Sequence, residues 1–326
     1  MMMMMLYKSR LRLPLPCLLI GSWWWKSCKI VTASFAITDV VRSSLTVKKI
    51  SSDEDNDDDV LGVTSVDDEL FVLLERDEDQ VAVYSINDYK LLRHLNLPDF
   101  EADTDSDMTS CVRNKCLYMS DYDNNCIVRY DVSSKLSARI KRVVRIGNRI
   151  RKWPVSGGPC GLSVTSSCNL LVTCRCEQFP GEANKLVELS ADSGQCVREI
   201  ALQSDIEHPW HSVQLTTDVF VVCHGNDLHR VCVVGDDGKV ARSYGDEQGS
   251  EVGQLNRPTH LAVDKDSQFI FVADYVNDRV VLLSPTFEFV HYVEENISDP
   301  RRLYFHQATR RLFVGQWDGG VTVIQL

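Results

Sequence analysis

No two cysteines in this 326-residue chain are spaced C-x-x-C, although it holds twelve of them. That removes the spacing on which zinc ribbons and thioredoxin-type redox motifs depend. No G-x-S-x-G elbow, H-E-x-x-H helix or phosphate-binding glycine-rich loop occurs either, so the common signatures of nucleophilic, metalloprotease and nucleotide chemistry are missing. RING-type cysteine–histidine arrays, B-boxes and coiled-coil heptads are also absent. Long apolar runs are scarce. The run from Leu13 to Trp25 is interrupted by Pro14 and Pro16 and falls short of the roughly 20 residues a membrane span needs. A basic excess is lacking too. The net charge of −11 argues against a generic nucleic-acid binder, whose phosphate contacts need clustered Lys and Arg, while leaving room for one basic face.

Several cysteines lie inside or beside apolar runs, as in "LVTCRC" and "VFVVCHG". They read as buried free thiols acting as small hydrophobes, with disulfides of a secreted protein as the alternative. The sequon Asn296-Ile297-Ser298 does not decide between the two. At the N-terminus, Lys8, Arg10 and Arg12 precede the apolar run, but a Trp triplet follows it and no Ala-x-Ala site stands behind it. Residues 1–42 are therefore expected to be a leader outside the fold, signal-like in outline, and 43–326 one domain. The expected compartment is the cytoplasm, or the secretory route if residues 1–36 act as a signal peptide.

What the chain does have is a repeat. An apolar–aromatic–Val step recurs with Phe71, Tyr118, Leu171, Phe220, Phe271 and Phe313 as markers, at intervals of 47, 53, 49, 51 and 42 residues. Each marker is followed by a polar turn and another alternating apolar segment, such as "QVAVYSI", "CIVRYDV" or "RVVLLS". Period-two alternation marks strands, and hardly any segment carries a helical stripe. Six copies with room for four short strands each predict an all-β, six-bladed β-propeller of four-stranded antiparallel blades. The last copy holds only three strands before Leu326. An open ring would leave an unpaired edge, so Leu45–Ile50 is expected to pair with Val321–Gln325 and supply the missing strand.

The stretch "GQLNRPTHLAVDKDSQFIFVADYVNDRVVLLS", residues 253–284, resembles the NHL repeat from Gly253 through Pro258, Asp264, Val272, Asp274, Asn277 and Arg279. "CLYMSDYDNNCIVRYDV" at 116–132 is a second copy without the Arg, while "TCRCEQFPGEANKL" and "VCHGNDLHRV" keep the strand rhythm and lose the signature. The resemblance implies a propeller without the ligase domains that NHL propellers often accompany. It also implies partner classes: other proteins, or RNA for the tripartite-motif type. The peptide-amidating lyase branch of the family binds zinc in its channel, with ligands one step earlier in the pattern, where this chain has Trp210 and Thr259.

Four acidic stretches, "SSDEDNDDD" at 51–59, "RDED" at 76–79, "DFEADTDSD" at 99–107 and "DYDNN" at 121–125, are expected to gather on one sector of one face. Neither longer stretch makes an EF-hand loop. From Asp53 the sixth and twelfth positions are Asp58 and Thr64, and from Asp103 they are Met108 and Asn114. At the start of the inner strands of blades three to six stand Gly161, His211, His260 and Arg302, expected to ring the channel mouth with His224 and His229 in a nearby turn and with Tyr275 and Trp317 as aromatic neighbours. The segment 138–153 carries seven Lys or Arg and no acid. On an outer strand of blade two, Arg142, Arg145, Arg149 and Arg151 would form a basic edge suited to RNA or an acidic surface. The expected function is a non-enzymatic, monomeric binding or scaffold propeller, without cofactor, metal or membrane insertion. It would engage a protein partner through His211, His224, His260, Arg302, Tyr275 and Trp317. The alternatives are a channel-site metal-dependent lyase or hydrolase, and RNA binding through 138–153.

Overall fold

A computed structural model describes residues 47–50, 58–76, 80–132, 150–176, 181–225, 228–317 and 319–326. The chain divides into Met1–Arg42 and Ser43–Leu326. The first unit, with the expected leader, lies outside the described residues, as do Arg142, Arg145, Arg149 and most of the acidic stretch 51–59.

Six four-stranded antiparallel sheets make up the second unit. Blade one is β2 (Val60–Val66), β3 (Glu69–Leu74), β4 (Val81–Ser85) and β5 (Leu91–Leu95). Blade two is β6 (Met108–Cys111), β7 (Cys116–Asp121), β8 (Cys126–Asp131) and β9 (Ile150–Pro154). Blade three is β10 (Gly158–Val164), β11 (Leu170–Arg175), β12 (Lys185–Leu189) and β13 (Cys196–Ala201); blade four is β14 (Pro209–Thr216), β15 (Val219–His224), β16 (Arg230–Gly235) and β17 (Val240–Tyr244). Blade five is β18 (Pro258–Val263), β19 (Ile270–Asp274), β20 (Arg279–Leu283) and β21 (Phe289–Glu295). Blade six is β22 (Pro300–His306), β23 (Arg311–Gln316) and β24 (Val321–Gln325), with β1 (Val47–Ile50) antiparallel to β24 and Ile50 opposite Val321. Leu45 and Thr46 lie outside the described residues. The inner strands neighbour one another in sequence order, and β22 returns beside β2, so the blades form a ring. Among the described residues no helix is long and apolar enough to cross a membrane.

The core is six wedges, one between each pair of neighbouring blades. Strand alternation makes this possible, because successive side chains point to opposite faces of a sheet. On β19, Ile270 and Val272 pack toward blade four while Phe271 and Ala273 pack toward blade six. On β23, Leu312 and Val314 face blade five while Phe313 faces blade one. Each repeat marker is the second or third residue of a second strand and is buried. Most cysteines pack as hydrophobes: Cys116, Cys174, Cys223 and Cys232 are 0% exposed, and all ten described cysteines are free thiols.

Inner strands share one irregularity that fixes the channel. Five of them shift register near their start, between Val60 and Gly62, Pro159 and Gly161, Pro209 and His211, Pro258 and His260, and Pro300 and Arg302. A bulge of this kind inserts one unpaired residue and re-aims the next side chain. The bulged residues are Leu61, Cys160, Trp210, Thr259 and Arg301.

Candidate functional site

Immediately after the bulges, one residue per blade reaches the channel axis. Blades one and three place glycine there. A Cβ on Gly161 would meet the Trp210 carbonyl at 2.4 Å, and one on Gly62 would meet Met108 Cβ at 2.5 Å, so both positions are closed to larger residues by the next blade. Blades four, five and six place His211, His260 and Arg302. Blade two contributes Asp107, which donates its N–H to Ser120 Oγ and accepts from Ser120 N–H just before β6 begins. It was hidden at the end of an acidic loop. The signal that finds it is spacing: Asp121 follows Asp107 by fourteen residues, as Asp274 follows His260 and Gln316 follows Arg302.

These four side chains are buried, with His211 and His260 on the wall of the cavity beneath them. Asp107, His211, His260 and Arg302 are 1, 2, 7 and 4% exposed, because the loop ahead of blade two and the bulged residues lie over them. Their expected place on an accessible surface is thereby corrected. His211 and His260 stack with ring centroids 3.6 Å apart. Asp107 Oδ2 lies 3.4 Å from His260 Nε2 and 3.8 Å from His211 Nε2, and it accepts the Leu162 N–H at 2.7 Å. Asp107 Oδ1 accepts the Met108 N–H and lies 3.6 Å from Arg302 Nε. Arg302 donates to the carbonyls of Leu61 at 2.7 Å, Ser106 at 2.8 Å and Arg301 at 3.2 Å. The cluster thus touches all six blades: Leu61 in one, Asp107 in two, Leu162 in three, His211 in four, His260 in five and Arg302 in six.

Hydrogen-bond partners fix both imidazole tautomers. The Leu303 N–H donates to His260 Nδ1 at 3.2 Å, so the proton of the neutral ring sits on Nε2, facing Asp107. His211 Nε2 lies 3.0 Å from the Leu162 carbonyl, which can only accept, so that nitrogen also carries its proton. Burial, together with the neighbouring His260, pulls His211 down to about 3, and burial lowers His260 as well. Both rings are neutral near pH 7. Burial alone would raise Asp107, but His260, Arg302 and His211 bring it down to about 2.

Asp107, His211 and His260 approach closely enough to suggest a metal-ligand set. Part of that donor set is committed elsewhere. His211 Nε2 keeps its proton on the Leu162 carbonyl and Arg302 balances the charge of Asp107, while His211 Nδ1 and His260 Nε2 are buried without a hydrogen-bond partner. The bulge positions one step earlier hold Leu61, Cys160, Trp210, Thr259 and Arg301, of which only Cys160 is a zinc-ligand type. The cluster is a buried tie between blades. Below it a cavity of about 500 Å³ runs to the hairpin tips at Asp67, Arg113 and Lys265. Hydroxyls on its wall pair between blades, Thr64 with Ser110 and Ser65 with Tyr304, each at 2.7 Å.

Above the cluster, on the face where inner strands begin and second strands end, the surface is aromatic and cationic. Tyr122, Tyr275 and Trp317 each follow the last residue of a second strand, and each is half-buried. A guanidinium lies against every one. Arg175 sits 4.8 Å from the Tyr122 ring and 4.7 Å from the Trp210 ring, Arg257 is 5.5 Å from Tyr275, and Arg301 is 4.0 Å from Trp317. Tyr275 and Trp317 meet edge to face at 6.4 Å. Arg175 pairs with Asp105, and Arg301 donates to the Thr104 carbonyl, so the loop before blade two is held from both sides. Burial and the neighbouring Arg302 draw Arg301 down to about 9. The acidic residues of this face are therefore partly consumed by arginines: Asp58 pairs with Arg76, Asp59 lies 3.8 Å from Arg301, and Asp105 pairs with Arg175.

The remaining sequence candidates fall elsewhere. His224, at the end of β15, is 0% exposed and accepts from Arg230 Nε at 2.9 Å. Burial, then Arg230, draws it down to about 4. His229 Nδ1 accepts the Arg257 N–H. Arg151 and Lys152 are exposed on β9, the outer strand of blade two. The NHL-like residues of blade five form a clip. Asp274 accepts the Asn256 N–H at 2.6 Å, Asn277 Nδ2 at 2.8 Å and Arg279 Nε at 2.7 Å, while Arg279 donates to the Ser250 and Gln254 carbonyls. That arrangement pins the loop leading into its own blade.

No family model matches this chain, and no curated protein matches it by sequence. Solved structures do match. A streptogramin B lyase aligns at TM-score 0.56 and 12% identity over 86% of this chain and 87% of that one. A virginiamycin B lyase from Staphylococcus aureus aligns at 0.55 and 9% over 87% and 100% of the two chains. Hydrazine synthase from Kuenenia stuttgartiensis aligns at 0.54 and 11% over 82% and 95%. At these identities the likeness concerns architecture alone, and what it establishes is a six-bladed β-propeller.

Proposed function

We propose that the chain is a non-enzymatic binding propeller of the NHL type that engages a protein partner through the face carrying Tyr122, Tyr275 and Trp317. One observation carries the reading: three half-buried aromatics occupy the same position of three blades, and each lies under a guanidinium, of which Arg175 and Arg301 are tied to the loop before blade two. Tyr, Trp and Arg dominate the energetics of protein interfaces, and side chains already immobilised lose little entropy when a partner binds. The NHL assignment is supported by the blade-five clip. The reading without a catalytic step is supported by the burial of His211 and His260 and by the matched charges of Asp107 and Arg302. The enzymatic neighbours share the architecture at 9–12% identity, which carries no activity across.

Of the residues first expected to meet the partner, Tyr275 and Trp317 keep that role. His211, His224, His260 and Arg302 act beneath the surface. The test compares proteins captured by the full chain and by the Tyr275→Ala/Trp317→Ala variant, each checked by thermal unfolding. The reading expects the captured set to fall at least tenfold, with the unfolding midpoint nearly unchanged because both rings are only half-buried. Equal capture by the two would overturn it.

A further inference from the structure

Cys111 and Cys116 stand directly opposite each other at the end of the β6–β7 ladder, joined by the turn Val112–Lys115. Both side chains pack into the wedge between blades two and three, so they leave the sheet on the same side. Residues facing each other in an antiparallel pair have Cα atoms about 4.5–5.5 Å apart. That lies inside the roughly 4.4–6.8 Å window of disulfides, although the Cβ atoms must draw in to about 3.8 Å. No other two cysteines of the described residues oppose each other across a ladder. From this juxtaposition we infer that Cys111 and Cys116 are a modification site, a thiol pair that closes to a reversible disulfide across the inner hairpin of blade two. The inference rests on strand register and is independent of the partner-binding reading.

The chemistry balances with a small disulfide such as oxidised glutathione as the oxidant. One protein thiolate attacks a glutathione sulfur, breaking its S–S bond and releasing one glutathione thiolate. The second protein thiolate then attacks the mixed disulfide and releases the other glutathione. The two cysteines lose two protons and two electrons, and glutathione disulfide gains them as two thiols. Cys111 and Cys116 are 2 and 0% exposed, and burial pushes Cys116 up to about 11, so reaction in the closed hairpin is slow. The turn itself reaches solvent, with Val112 55% exposed, and opening it uncovers both thiols. The inward Cβ movement leaves the bond strained and therefore easily reduced. Closing it would staple the strand that begins beside Asp107.

The test uses the full chain, refolded from urea in a mixture of reduced and oxidised glutathione, with native chain incubated in the same mixture in parallel. Free thiols are alkylated and the protein is cut with trypsin. Arg113 and Lys115 lie between the two cysteines, so cleavage separates them unless sulfur joins them. The expected result is a linked peptide pair lighter by two hydrogens, dominant over free Cys111 and lost on treatment with a dithiol. In Cys111→Ser, Cys116 should remain alkylatable. Free thiols at both positions in both arms, a persistent glutathione adduct on either, or linkage of Cys111 to another cysteine would overturn the inference.

Discussion

Asp107 with Arg302 and Asp274 with Arg279 are both buried carboxylate–guanidinium pairs, 3.6 and 2.7 Å apart, yet they act on different scales. The first pair belongs to a hub whose partners come from six blades. The second fastens one loop to one blade. Their surroundings are opposite in effect: His260, Arg302 and His211 hold Asp107 down to about 2, whereas burial outweighs the Asn256, Asn277 and Arg279 bonds and raises Asp274. The difference also shows in what can replace each pair. Blade four does the clip's work with His224 and Arg230, the guanidinium reaching Asp205 at 2.6 Å. Blade three uses Lys185 on Ser156 at 2.7 Å, and blade six uses Gln316 on the Ser298 carbonyl and Thr322. A clip needs only a donor that reaches an oxygen of the neighbouring loop or strand. The hub needs specific side chains from blades two, four, five and six and backbone groups from blades one and three, because its members meet at a single axis.

The largest expected effect tests whether the hub alone can hold the ring. We propose that β1 closes blade six, since without it β24 offers an unpaired edge. A chain beginning at residue 51 should lose its cooperative monomeric fold, read by size exclusion and circular dichroism. A truncated monomer with an unchanged unfolding midpoint would mean that Arg302, bonded across the seam to Leu61, suffices. Next comes the hub against the clip. Asp107→Asn leaves Arg302 as a buried charge without its counterion and should cost about 3–5 kcal/mol. Asp274→Asn keeps an acceptor for the Asn256 N–H and removes a carboxylate whose charge burial already disfavours, so about 1–3 kcal/mol is expected.

The last effect is acid sensitivity. His211 and His224 have folded pKa values of about 3 and about 4, below the unfolded value of about 6.5. The unfolded chain therefore binds more protons between those limits, and stability falls as pH drops through that window. The slope is roughly 1.4 kcal/mol per pH unit for each imidazole that must charge. Asp107, also depressed, adds a loss only below about pH 4. Unfolding followed from pH 7 to 4 should show the decline, and His211→Asn should flatten it more than His224→Asn because the hub residue is depressed further. A flat profile in the wild type would contradict the neutral-imidazole hub.

Much of the ring was legible from sequence. All six marker residues lie on second strands, because period-two alternation and polar turns are local and survive when motif residues drift. The clips were legible only in blade five. Elsewhere their chemistry changes to His–Arg, Lys–Ser and Gln–Thr while the geometry stays, and a motif search follows chemistry. The candidate site was half visible. His211, His260 and Arg302 were placed at the right register, but their burial depends on five bulges and on the loop over them, which are tertiary features. Asp107 was read as one more acid of a solvated loop because composition masks register; only the fourteen-residue spacing to Asp121 separates it from Asp103 and Asp105. The arginine partners of Tyr122, Tyr275 and Trp317 come from other strands or other blades, so no linear pattern could pair them.

The most direct measurement is urea unfolding of Asp107→Asn and Asp274→Asn side by side near pH 7. A hub that joins six blades predicts the greater loss for Asp107→Asn, by about 2 kcal/mol from the ranges above. Equal losses, or a greater loss for Asp274→Asn, would show that the ring does not depend on its axis.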